Sequence, residues 1–107
     1  MRPATLVVSA AILAMAAPVA GAQDVHGSIA GGRRLAEQWC ATCHQLGAGA
    51  PVKPGVPTFA QVARLASSTE LALRVFLRTS HADMPNIQLS QTDTDDLIAF
   101  ILSQKAP

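Results

Sequence analysis

Apolar positions in this 107-residue chain first form one long run, residues 6–17, interrupted only by Ser9, and thereafter recur at spacings broken by polar residues. The broken patterns have the helical period. Leu35 and Trp39 lie four apart with Ala36 beside them, which predicts a helix over about 29–42. Gly31 and Gly32 lower helix propensity at its start. Either that entry frays, or Gly32 marks a close contact where another helix crosses. Residues 47–57 hold Gly47, Gly49, Gly55, Pro51, Pro54 and Pro57 and read as loop. A short helix is predicted over 58–66, carrying Phe59, Val62, Ala63 and Leu65. Thr69 is a good N-cap for a further helix over about 70–80. Leu73, Phe76 and Leu77 share one face there, and Leu71 and Val75 extend it. Residues 81–89 read as a second loop centred on Met84-Pro85-Asn86. Ser90 opens the last helix, with Asp93 three residues on as a variant capping box. Asp93, Asp95 and Asp96 cluster near its positive end and Lys105 lies near its negative end. Leu97, Ile98, Phe100, Ile101 and Leu102 supply its apolar face. With no β-strand signal of length and no internal repeat, the fold class is all-α: three to four short helices joined by long loops. Such a core is thin for its loop content, which argues for a large apolar object filling the middle.

The long apolar run changes the count of folded residues. It follows Met1-Arg2 and precedes Pro18-Val19-Ala20-Gly21-Ala22. A charged start, about a dozen apolar residues and a small-x-small end describe a secretory signal. Residues 1–22 are therefore expected to be cleaved, leaving 23–107 as one domain. An uncleaved anchor is the alternative, but a span needs about 20 apolar residues and Pro18 ends the run. Removing Arg2 from eight basic residues leaves seven against seven acidic ones, so the mature chain is near neutral. No basic stripe suggests nucleic acid, and nothing polybasic suggests a membrane surface after signal cleavage. A domain this small often needs a staple, a metal or a cofactor. In an oxidising exported compartment its two cysteines also need a use.

The chemistry sits in Cys40-Ala41-Thr42-Cys43-His44. In Cys-x-x-Cys-His the two thiols can add to the two vinyl groups of haem. Two intervening residues place the sulfurs on one side of a helical turn, and the histidine follows at once to reach iron. Three rivals use the same residues. A thioredoxin-like redox pair wants a preceding strand and a βαβ pattern. A zinc site wants a second ligand pair, which His26 and His81 do not form. A plain disulfide across two residues would be strained. For the far side of iron three methionines exist, and Met1 and Met15 lie in the signal. Met84 remains, in a loop before Pro85, which removes a donor and fixes the local chain. A thioether opposite histidine raises the potential. His81, three residues earlier, is the competing ligand; His26 reads as a solvated residue of the lead-in.

At these residues the chain resembles a class I (monohaem) bacterial cytochrome c of the short His/Met type, over nearly all of 32–104. The resemblance implies the cytochrome c fold around one covalently bound haem c, held by Cys40 and Cys43 and ligated by His44 and Met84. It also implies an N-terminal helix crossed by a C-terminal one. Gly32 matches the family's crossing glycine, and Leu97 and Phe100 resemble the pair opposite it. Ala36 departs from the family's aromatic, and Trp39 is a candidate to take over that packing. In the family a proline carbonyl accepts a hydrogen bond from the proximal imidazole. Pro51, Pro54 and Pro57 are all candidates, with Pro57 closest to the short pattern. The segment 81–86 resembles the methionine loop.

What this implies is one-electron transfer by a carrier, not an enzyme. The setting is the periplasm, and the partners are a redox donor and acceptor. The carrier is either a soluble shuttle or a cytochrome subunit of a larger oxidoreductase complex. Leu46, Val56, Phe59, Val75, Phe76, Leu77 and Leu97 are candidates for the haem wall. Near-zero charge predicts weak electrostatic steering. The alternative is a haem-based sensor or ligand-binding module with a labile Met84.

Overall fold

The computed structural model describes residues 26–79 and 83–105. The expected signal segment, residues 1–22, and His81 lie outside them. The described residues form four helices, α1 (Ile29–Trp39), α2 (Phe59–Arg64), α3 (Glu70–Leu77) and α4 (Gln91–Ser103), and hold no β-strand. The all-α expectation is met.

Helix α1 begins where Ser28 caps it, the hydroxyl accepting from Gly31 N–H at 3.0 Å. The Ser28 N–H in turn donates to Asp96 Oδ1 at 2.7 Å, so a carboxylate on α4 helps start α1. The two helices touch backbone to backbone at Gly32. A Cβ there would overlap the Asp96 carbonyl oxygen and stand 2.7 Å from Phe100 Cβ. Gly32 is thus a crossing point and not a frayed entry. Phe100 is fully buried at this crossing, and the Arg33 guanidinium covers its ring at 5.0 Å.

The helix stops short of the predicted 42. Cys40 and Ala41 N–H both turn to the Ala36 carbonyl (2.8 and 2.9 Å), which widens the ladder. Cys43 and His44 N–H then converge on the Cys40 carbonyl (3.1 and 2.9 Å), and the chain leaves the helix as a turn. Helix α2 is held by a complete capping box: Gln61 N–H to Thr58 Oγ1 at 3.0 Å, and Thr58 N–H to Gln61 Oε1 at 2.8 Å. Thr69 caps α3 as expected, accepting from Ala72 N–H at 3.1 Å. That helix ends at Leu77, short of 80, and the Thr79 hydroxyl bonds the Val75 carbonyl at 2.8 Å. Ser90 caps α4, accepting from Asp93 N–H at 3.1 Å. Aspartate is shorter than the glutamate of a full box. The Asp93 carboxylate therefore accepts the Ser90 hydroxyl itself, at 2.7 Å.

Helix α4 is the hub, packed most extensively on α1 and also on α2 and α3. The core is Ala36, Cys40, Phe59, Leu73, Leu97, Ile98, Phe100 and Ile101. Ala36 is itself sealed, while Trp39 is 52 % exposed. Trp39 therefore does not take over the packing of the family's aromatic; small Ala36 lets α4 approach instead. Away from the crossing, Arg74 of α3 joins the two helices' polar faces. Its Nη2 lies 3.0 Å from Glu70 Oε1 on the same helix and 2.6 Å from Asp95 Oδ1 on α4.

Candidate haem site

The turn that ends α1 carries the candidate chemistry. Cys40 closes the helix as its C-cap and is buried, while Cys43 and His44 follow in the turn, half-buried. Burial pushes the Cys40 thiol up to about 11. A disulfide oxidoreductase needs its reactive thiol moved the other way, toward the thiolate. Among the described residues no group of three or more His, Cys, Asp or Glu side chains is placed to hold a metal ion. The thiol-redox and zinc readings both lack support from the geometry.

His44 is fixed by one bond. Its Nδ1 lies 2.8 Å from the Pro57 carbonyl oxygen. A carbonyl can only accept, so Nδ1 carries the proton, and the lone pair of the neutral ring is left on Nε2. Such a bond orients a ligating imidazole and raises its basicity. Of Pro51, Pro54 and Pro57, the last is the one in contact. Pro57 is held in turn by its neighbours: Thr58 is capped to Gln61, and Phe59 N–H donates to the Gln45 carbonyl at 2.9 Å. The buried Phe59 ring sits 5.2 Å from the imidazole and 6.1 Å, edge-on, from Phe100. Packing therefore runs from α4 through Phe59 to His44.

Beside this turn an apolar cleft opens between α1, α3, α4 and the segment before α4. Leu35, Trp39, Cys40, Phe76, Leu77 and Met84 line it, together with Thr79, Pro85, Asn86, Ile87, Leu89 and Leu97. Cys40 and Met84 thus face one space, while Cys43 and His44 are not among its lining residues. Met84 is half-buried, and Asp83 before it has the left-handed φ of 67° that aspartate tolerates better than most residues. Pro85 after it confines Met84 to extended backbone. Phe76, Leu77 and Leu97 of the expected wall line the cleft. The other expected wall residues lie elsewhere. Leu46 packs on the core, Phe59 is under His44, and Val75 is 59 % exposed. Val56 faces a separate shallow hollow with Pro51, Pro57, Gln61 and Leu65. Leu35 and Trp39 form the α1 side of the cleft, and their spacing of four was the available signal. Ile87 and Leu89 sit in a loop with no period to reveal them.

A cleft that leaves Trp39 and Phe76 about half exposed and has a cysteine and a methionine in its apolar lining has the chemistry to hold a flat apolar group through sulfur. The sequence agrees. Residues 27–101 match the family described as "Cytochrome C oxidase, cbb3-type, subunit III". The chain belongs to the cytochrome c family. This class I, monohaem cytochrome is 41 % identical over 71 residues to "Cytochrome c-552" of Bradyrhizobium diazoefficiens, covering 65 % of this chain and 68 % of that protein. No solved structure matches it. The cytochrome carries covalently bound haem c, and its function is haem-mediated electron transfer. None of its described helices is long and apolar enough to cross a membrane. His26 is exposed, as a lead-in residue should be.

Proposed function

We propose that this cytochrome is an exported one-electron carrier whose haem is held by thioethers from Cys40 and Cys43, with His44 Nε2 and Met84 Sδ as the axial ligands. Bound haem supplies a single reversible electron at iron. The rest is the chain's work. Pro57 holds the His44 ring through Nδ1, which leaves Nε2 as the donor. Asp83 and Pro85 hold the backbone of Met84 from either side. Leu35, Leu77 and Leu97 exclude water, which raises the potential together with the His/Met pair. Bound haem held by both His44 and Met84 would leave no position at iron for a substrate, which supports transfer over catalysis. The observation that carries the proposal is that Cys40 and Met84 line the same apolar cleft.

Residues 1–22 are proposed to be a signal removed after Ala22, which delivers the carrier to the periplasm. Its donor and acceptor are redox proteins there. The carrier is either a soluble shuttle or a subunit of a larger oxidoreductase complex; the family's description favours an oxidase among such complexes. The test is a pyridine haemochrome spectrum with an intact mass on the exported holoprotein. The expected result is one haem through two thioethers on a chain starting at Gln23. A colourless protein, or a mass equal to the bare polypeptide, would overturn it. Met84→Ala should keep the covalent haem, lose the red-edge charge-transfer band of thioether-ligated ferric iron, and lower the potential. Fast carbon monoxide binding by the unmutated reduced protein would favour the sensor reading instead.

A further inference from the structure

The segment that carries Met84 leaves α3 at Leu77 and enters α4 at Gln91. Leu77 and Leu89 at its two ends pack against the core, and the spacing of those ends depends on how firmly α3 is held against α4. Buried Leu73 gives α3 an apolar hold on the core. The polar hold is Arg74, whose guanidinium reaches Asp95 across the helix pair at 2.6 Å while Glu70 steadies it from one turn away at 3.0 Å. Asp95 Oδ1 is shut off from water, and among the described residues no well-directed hydrogen bond reaches it. Arg74 is what balances its charge. Both side chains are about one-fifth exposed, 23 % and 21 %, a setting in which a charge pair is screened less than on the open surface. Met84 lies midway along the chain between Arg74 and Asp95, so this ion pair closes a ring of backbone with the thioether at its far point.

We infer that Arg74 is a positioning residue for Met84: its ion pair with Asp95 pins the two ends of the methionine segment and so holds the thioether against displacement from iron. The inference rests on the proposed His44/Met84 ligation. Pinning the ends of a segment removes open conformations from its ensemble. Without the pair, α3 tilts on Leu73 more freely, Met84 dissociates more often, and an outside ligand finds iron vacant for a larger fraction of time. Nothing in this requires a change in the bound geometry. It is a change in how often the bound state opens.

The test uses the oxidised holoprotein and imidazole as the outside ligand, with binding followed by loss of the thioether–iron band. Arg74→Gln and Asp95→Asn should each raise the apparent imidazole affinity by about two- to fivefold, the range a partly exposed ion pair supports. The double variant should go no further than either single one, because both remove the same pair. Arg74→Lys should restore part of the protection. Salt at about 1 M, where screening falls to about 3 Å, should move the unmutated protein toward the variants and leave Arg74→Gln unmoved. A general loss of stability would give additive singles and no such salt pattern, and that result would overturn the inference. So would unchanged affinity in both single variants of a protein whose unmutated form shows the thioether band. If the unmutated protein binds imidazole as readily as Met84→Ala does, the ligand reading itself fails and takes this inference with it.

Discussion

At His44 a single backbone carbonyl settles which ring nitrogen is available, because the Pro57 oxygen can accept a hydrogen bond but cannot donate one. The glycine at the helix crossing is as exacting. Gly32→Ala would drive a methyl group into the Asp96 carbonyl, which belongs to a backbone held by α4 and cannot swing aside. We expect a loss of about 1–3 kcal/mol, read as a lower denaturant midpoint of the holoprotein with haem content unchanged. Such residues differ in how far the sequence reveals them. Cys40, Cys43 and His44 lie within five positions and announce themselves, and Met84 follows by elimination. The resemblance supplied three prolines for one contact, and only the fold distinguishes Pro57. Asp95 shows only as one of the acidic residues that open α4, and its pairing with Arg74 left no trace, since two charged residues on separate helices have no shared period. The same limit explains Trp39: an aromatic four residues after Leu35 reads as core, but the crossing is so tight that Ala36 alone fits inside it.

Among the elements, all four helix starts carry a hydroxyl cap, and the starts are more legible in the sequence than the ends. A cap is one side chain at a fixed offset from the first turn, so it is written locally. Ends depend on where carbonyls find other partners. In the 36–44 turn the donors of Cys40 and Ala41 share the Ala36 carbonyl, and α1 there hands the chain over to the Cys-x-x-Cys-His turn. The α2 cap, besides starting its helix, holds the residue after Pro57 in place. Thr58→Ala should cost about 1 kcal/mol in stability. It should also disturb the His44 ring protons in the hyperfine-shifted NMR spectrum, which loss of the exposed Thr69 cap should not do. An unchanged His44 signature in Thr58→Ala would mean that Phe59 packing alone positions the proximal loop.

At the scale of the molecule, the central apolar cluster among the described residues is small and includes Cys40. The expectation that the helices need a large apolar partner follows from their loop content, and the half-exposed Trp39 and Phe76 along the cleft agree with it. A Cys40→Ser, Cys43→Ser double variant, exported without attached haem, should lose most of its far-UV helical signal. Retention of native helicity there would show that the four helices stand alone. Near-neutral charge belongs to this scale too. Electron-transfer rates with a partner should vary little with ionic strength, because there is no net field to screen.

The contact of α1 with α4 at Gly32 joins the first and last of the four helices, and this sets an order of events during synthesis. The Cys-x-x-Cys-His turn is synthesised well before Gln91, so there is an interval in which its thiols stand open with nothing opposite Ala36. Once residues 91–103 arrive and Asp96 meets Ser28, that door shuts. We therefore expect haem to attach at buried Cys40 faster before the two backbones meet at Gly32 than after.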